Sequence, residues 1–346
     1  MQTKRYEQAT NSLEQNSLEH NSLVNQYIDK SFQSCTDLQQ LSQTLSPNLV
    51  ALQLSKGPLQ GRIRIVALKE FRFNLLETNQ SLFLSGKRRP GTCTMAIPLQ
   101  EIETNNTYRA QGIEMPWAGI IGFNRRLTDF DLKIPAGAQL ATVVISHETW
   151  SNRYVKQGDS SCLSERWEKS NQLELQRPYF LNLQQQLLNL VNGKADVWTT
   201  KESDQLIDRL IQCFEDPTAR TLPIAKREVR HEAAVELLHW CANNPTSLIS
   251  IEKISNEIFQ SRTSLFKGSK EHFQRTPMEL QRAIRMDRVR QLLLNPRQCR
   301  SQGLKGVGEI AASLGFSSRS HFAKHYEDYY HELPIETLKR DQMQFS

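Results

Sequence analysis

The stretch that most constrains this chain is GEIAASLGFSSRSHFAKHYEDYY, Gly308 to Tyr330. Ile310, Ala311 and Leu314 share one face of a short helix. Ala311 and Ala312 are small, so another helix can approach closely. Gly315 supplies the positive φ that ends this helix and turns the chain sharply. Phe316 plugs the angle, and Ser317 or Ser318 caps a second helix. On that helix Phe322 and Tyr326 lie four residues apart and face inward. Arg319, Ser320, His321 and Lys324 fall on its leading and outer surface, and Ser318 and His325 join this candidate set. The pattern is a helix-turn-helix, one helix bracing another that offers basic and hydroxylic groups to a major groove.

The design recurs upstream in ISIEKISNEIFQSRTSLFKGSKEHFQRTP, Ile249 to Pro277. Ile251, Ile254 and Ile258 form the brace, Phe259-Gln260 the turn and Ser261 the cap. Leu265 marks the buried face of the second helix. Thr263, Phe266, Lys267 and Lys270 point outward, with Arg262 and Ser264 at the leading end. Phe266 either touches a thymine methyl or packs on a neighbour. Between the copies, Thr276 and Glu279 form a capping box with Pro277 at the first helical position. The spacing predicts a helix over 278–294, ~25 Å long at about 1.5 Å per residue. Such a rod can hold two recognition helices about one DNA turn, ~34 Å, apart. Arg282, Arg285, Arg288 and Arg290 decorate it, as phosphate contacts or as a solvated helix surface.

Charge points to the same region. The chain carries a net +6, and residues 251–340 hold 16 Lys+Arg against 10 Asp+Glu, while the remainder is balanced at 27 against 27. A localised basic excess suits a polyanion such as nucleic acid, or is a solvated surface without a partner.

The rest of the 346 residues leaves room for a second domain. NSLEQ, NSLEH and NSLVN run in tandem near the start, in a segment expected as a flexible polar leader over 1–30. From 49 to 147, short apolar runs (RIRIVAL, SLFLSG, CTMAIPL, WAGIIGF, ATVVIS) alternate with Gly, Pro, Asn and Asp, the texture of a β-barrel or sandwich. Pro135-Ala136-Gly137 reads as a turn between strands. Trp117 and the phenylalanines of this region either pack the core or line a pocket in the barrel mouth. Ser151–Arg166 reads as a polar linker. Amphipathic helices follow, with Phe180, Leu183, Leu187, Leu190 and Val191 on one and Leu206, Leu210 and Phe214 on the next. They pack on the β-region or form a dimer interface. A linker is expected over 216–227, and a further helix, EVRHEAAVELLHWCANN, opens the basic region.

Functional alternatives are narrowed by what is missing from the sequence. The six cysteines include no C-x-x-C pair, and His147 is the single histidine of the β-region, so neither a disulfide frame nor a metal site is expected. No G-x-S-x-G, Walker A, H-E-x-x-H or dinucleotide fingerprint occurs. The N-terminus lacks the apolar core of a secretory signal, and no run of about 18 apolar residues occurs. The expected location is therefore the cytoplasm.

With these motifs in place, residues 228–340 resemble the DNA-binding domain of AraC/XylS-type transcription regulators. Ile310-Ala311, Gly315-Phe316, Ser320, Phe322, Tyr326 and Pro334 stand at that family's spacing, and RAIRMDRVRQLLL is similar to its connecting helix. The resemblance implies an α+β multidomain protein. A β-rich, barrel-like sensory or dimerisation domain with C-terminal helices would span 31–215. An all-α domain of two helix-turn-helix units joined by a long helix would span 228–340. It implies double-stranded DNA as partner, with a small-molecule effector, a second copy of the chain and RNA polymerase as further partners, and no cofactor or catalysis. Gly268 and Ser269 depart from the family pattern at positions usually apolar, and Gln274 and His331 replace its usual glycines. A helical glycine costs ~1 kcal/mol relative to Ala, so the first unit is expected to be looser or its helix shorter. An enzyme with an appended DNA-binding module, and a nonspecific architectural or RNA-binding protein, stay open as alternatives.

Overall fold

The computed structural model describes residues 24–43, 46, 48–68, 71–101, 107–155, 168–192, 200–224, 227–247 and 249–343. Its N-terminal part is built on period-2 alternation. An eight-stranded antiparallel sheet contains β1 (Val24–Phe32), β3 (Gly61–Leu68), β4 (Phe71–Thr78), β6 (Thr92–Pro98), β9 (Gly119–Ile121), β11 (Gln139–Ser146), β12 (Ser170–Glu174) and β13 (Arg220–Pro223). Their spatial order is β1-β3-β4-β11-β6-β9-β12-β13. A five-stranded sheet contains β2 (Val50–Gln53), β5 (Leu82–Lys87), β7 (Arg109–Ala110), β8 (Ile113–Glu114) and β10 (Asp129–Ile134), in the order β2-β5-β10-β7-β8. The expected β-runs lie on β3, β5, β6, β9 and β11. Gly137 makes the turn before β11 at φ 76°.

Alternation assigns each strand two faces. On the large sheet Phe71, Phe73, Leu75, Met95, Ile97, Val143 and Ile145 face outward into one core. Leu76, Ala96 and Leu140 face inward, where they meet Ala51, Leu84, Leu132 and Ile134 of the small sheet. The outward face of the large sheet is covered by α3 (Arg177–Asn192) and α4 (Thr200–Glu215). Phe180, Leu183, Leu187, Leu190, Leu206, Leu210 and Phe214 are buried there. These helices thus pack within the chain. Trp117 stacks edge-on against Phe180 at 4.9 Å on this side, away from the interior.

Several boundaries differ from the sequence reading. Strand β1 begins at Val24 inside the segment expected as a leader, because its residues pair in register with β3. Helix α2 (His147–Val155) enters the expected polar linker, whose remainder at 156–167 lies outside the described residues. Strand β13 lies within the expected linker over 216–227 and pairs with β12. The tandem repeats of residues 1–23 also lie outside the described residues. Among those described, five cysteines are free and buried, no His/Cys/Asp/Glu group suited to a metal ion occurs, and no helix is long and apolar enough to cross a membrane.

The C-terminal part is all helical: α5 (Val229–Asn243), α6 (Ile251–Glu257), α7 (Arg262–Phe273), α8 (Pro277–Leu293), α9 (Pro296–Ser301), α10 (Val307–Ser313), α11 (Arg319–Tyr330) and α12 (Pro334–Met343). It docks on the outward face of the small sheet. Val50, Leu52 and Phe83 share a core with Leu237, Leu265, Phe273 and Leu280. Short helix α1 (Cys35–Leu41) meets α8 head-on. The Asp287 carboxylate accepts from the Cys35 and Thr36 N–H groups at 2.7 and 2.8 Å and from the Thr36 hydroxyl at 2.7 Å.

Candidate nucleic-acid interface

Each unit is built from local chemistry. In the first, Ser250 caps α6 and Ser261 caps α7, its hydroxyl accepting from the Ser264 N–H at 3.0 Å. Ile251, Ile254, Leu265 and Phe273 are buried. In the second, Gly315 turns the chain at φ 81° between α10 and α11. Phe316 stacks on Phe322 at 4.9 Å and lies under the Arg285 guanidinium. Ser318, rather than Ser317, caps α11 by accepting from the His321 N–H at 3.3 Å. Phe322 and Tyr326 are buried as the spacing predicts. Of the two small residues expected at the close approach, only Ala311 is buried, and Ala312 faces solvent.

The candidate contact residues fall on two exposed helix faces. On α7, Arg262, Thr263, Phe266, Lys267 and Lys270 are exposed and Ser264 is half-buried. On α11, Arg319, Ser320, His321 and Lys324 are exposed, with Ser318 and His325 half-buried. Burial and the neighbouring cationic Arg282 push the His325 imidazole below its ordinary value. Two of the cations have surface acid partners, Arg262 with Glu252 at 2.9 Å and Lys270 with Glu279 at 3.4 Å. Exposed pairs of this kind are worth ~0.2–1 kcal/mol, so a phosphate can displace them.

The first unit is not loosened by its glycine. Helix α7 runs unbroken to Phe273 with Gly268 buried. A Cβ at Gly268 would come within 2.0 Å of the Arg230 carbonyl oxygen on α5. The missing side chain therefore lets two helices touch. Gln274 and His331 take over the left-handed C-caps of α7 and α11 at φ 56° and 54°, as the glycines they replace would. Phe259 does the same work in the first turn, at φ 54° and 93% exposed.

The arginines expected on the rod divide sharply. Arg282 and Arg288 are half-buried. Arg285 is buried against Phe316, and Arg290 is 0% exposed. The Arg290 guanidinium pairs with Glu332, donates to the Gln33 carbonyl at 2.8 Å and lies over the Tyr330 ring. These two arginines belong to the core of the domain and its seam with the barrel, which an i, i+3 reading of polar residues cannot reveal.

That seam also holds residues the sequence did not single out. Arg275 donates to the Gln53 and Leu54 carbonyls at 2.8 and 3.2 Å and to the Tyr329 hydroxyl at 2.9 Å. Tyr329 in turn donates to Gln53 at 2.6 Å. The end of β2 therefore touches the C-terminal ends of both units. The partners are more than 200 positions apart in the chain, and no sequence signal marked them.

Inside the barrel lies a cavity of about 160 Å³, lined largely by apolar groups including Leu76, Ile121, Leu132, Leu140 and Val144. Arg88 also lines it, donating to the Gly122 and Asn124 carbonyls at 2.6 and 2.9 Å. Burial pulls its pKa down to about 10. Asn74 Oδ1 is buried without a hydrogen-bond partner, and Asn74 lines the same space.

Residues 254–340 match the family described as Helix-turn-helix domain. Over 107 residues, 31% of this chain, the sequence is 28% identical to the XylDLEGF operon transcriptional activator 2 of Pseudomonas putida, and the match covers 66% of that protein. Over 97 residues, 28% of this chain, it is 29% identical to activator 1 of the same operon, covering 28% of it. The chain thus spans less than two thirds of each of these relatives. A solved probable AraC family transcriptional regulator from Rhodopseudomonas palustris aligns at 28% identity and a TM-score of 0.29, over 32% of this chain and 97% of that one.

Proposed function

From a C-terminal helix-turn-helix domain of the AraC/XylS type, we propose that the chain is a sequence-specific DNA-binding transcription regulator, working in the cytoplasm at the nucleoid. Its two units enter consecutive major grooves of one duplex. Arg262, Thr263, Ser264, Phe266, Lys267 and Lys270 read or flank one half-site. Ser318, Arg319, Ser320, His321, Lys324 and His325 serve the other. Lysines and arginines supply phosphate attraction, while the short hydroxylic and imidazole groups discriminate base edges.

The observation that carries this reading is the pair of exposed polar faces on α7 and α11, each backed by a buried apolar face. The barrel cavity, with Arg88 among its basic lining residues and its unpartnered Asn74 oxygen, serves as a receiver for a small-molecule effector. No catalytic role is assigned to it. A second copy of the chain and RNA polymerase complete the set of partners.

Selection of bound sequences from a random duplex pool tests the proposal. The full chain should enrich one motif with two half-sites about one helical turn apart. Arg319→Ala with Lys324→Ala should fold normally yet lose at least about tenfold in affinity for that motif, at ~1–3 kcal/mol per specific contact. An unenriched pool, or an unchanged footprint from the double variant, contradicts it.

A further inference from the structure

We infer that Asp131, His231 and His272 form a polar relay that reports occupancy of the barrel cavity to the first recognition helix and not to the second. The inference rests on reading the cavity as an effector site.

Strand β10 is the point of contact between the two spaces. Phe130, Asp131 and Leu132 all line the cavity, and Asp131 also borders the groove between barrel and C-terminal domain. Asp131 is 2% exposed. It forms an ion pair with Arg227 at 2.8 Å, and its Oδ1 lies 3.1 Å from His231 Nε2, a close polar approach rather than a hydrogen bond. His231, buried on α5, brings its Nδ1 within 3.2 Å of His272 Nδ1 on α7. One imidazole must donate and the other accept, because burial and the neighbouring His231 hold His272 down at about 4 and therefore neutral. The contact consequently depends on direction as well as distance.

Two further features make the chain stiff. The β7–β8 turn closes over His231, where a Cβ on Gly112 would be 3.2 Å from Nδ1. The preceding residues Ala110 and Gln111 line the cavity. Helices α5 and α7 meet at Gly268 with no room for a side chain. A ligand that presses Leu132 outward therefore has Asp131 next in line on the same strand, then His231, then the last turn of α7.

The second unit is wired differently. Its tie to the barrel runs from Tyr329 to Gln53 and Gly57, at 2.6 and 2.8 Å. None of the described residues 50–57 lines the cavity. Both recognition helices thus meet the end of β2, through Arg275 and Tyr329, but α7 also reaches β10 beside the cavity through His272 and His231. An effector would alter the register between half-sites by moving one reader against a fixed one.

Hydrogen–deuterium exchange on the full DNA-free chain tests this, with a cavity-filling side chain standing in for an occupant. Ala96→Leu fills the inner face of β6, and Thr142→Ile on the paired strand β11 is a milder filler should the first misfold. Either should change exchange across 262–273 by at least about threefold, leave 319–330 unchanged, and lose its effect when combined with Asp131→Asn. An equal response in both helices, a response that survives Asp131→Asn, or none in a folded filler variant overturns the relay. Because no DNA is present, each of these results leaves the DNA-binding reading to stand or fall on its own selection experiment.

Discussion

At the scale of the residue, backbone conformation separates glycines that are needed from glycines that are missed. Gln274 and His331 occupy left-handed caps, where a non-glycine residue carries local strain of ~1–3 kcal/mol, partly offset by glycine's greater freedom when unfolded. Gln274→Gly and His331→Gly should each raise stability by about 0.5–1 kcal/mol in urea unfolding. Gly268→Ala tests the opposite case. Helix propensity alone predicts a gain of ~1 kcal/mol, whereas the 2.0 Å approach to the Arg230 carbonyl predicts a loss of ~1–3 kcal/mol from overpacking. A measured gain would mean that α5 and α7 do not touch as described. The sequence made Gly268 legible as a departure from its family but not its reason, since Arg230 is almost forty positions away. Gly315, Ser261 and the Thr276–Glu279 box were legible because their partners lie within a few residues.

At the scale of the element, the helices and most strands followed from period, while their surroundings did not. Helix α8 was visible from its capping box and its proline, and Ser261 and Ser318 mark where α7 and α11 begin. Its arginines were not sorted by the pattern, because a helix buried on nearly all sides hides which polar positions are outside. Arg290 is enclosed with Glu332 and Tyr330, and removing one member of a buried pair costs ~3–5 kcal/mol. Arg290→Ala should therefore lower the unfolding midpoint markedly. Arg288→Ala, at a half-buried position, should stay within about 0.5 kcal/mol of the parent. Equal stability of the two variants would return Arg290 to the surface. The boundaries missed at β1 and β13 have a common cause: both are rich in polar residues, and their partners, not their composition, make them strands.

At the scale of the whole molecule, docking between barrel and C-terminal domain is the feature the sequence could least announce, and it sets the response to acid. The seam half-buries two histidines: His239, within 3.0 Å of the Ser85 hydroxyl, and His272 against His231. Burial lowers both, with repulsion from His231 adding to the effect at His272 and Glu271 and Asp131 opposing it. His272 moves from its ordinary 6.5 to about 4. Above about pH 7 the ring is neutral in folded and unfolded chains alike and contributes no pH dependence. As pH falls from 6.5 toward 4, the unfolded chain takes up a proton that the folded seam refuses, so stability falls with acidification across that window. Below the folded value both states are protonated and the loss levels off. Thermal midpoints recorded from neutral pH down to the middle of that window should thus decline in the parent. His272→Asn, which keeps a polar side chain but cannot titrate, should decline less steeply. If its slope equals the parent's, His272 does not hold a neutral ring in that seam, and the contact between barrel and first recognition helix would have to rest on Phe83 against Phe273 and the Arg275 hydrogen bonds.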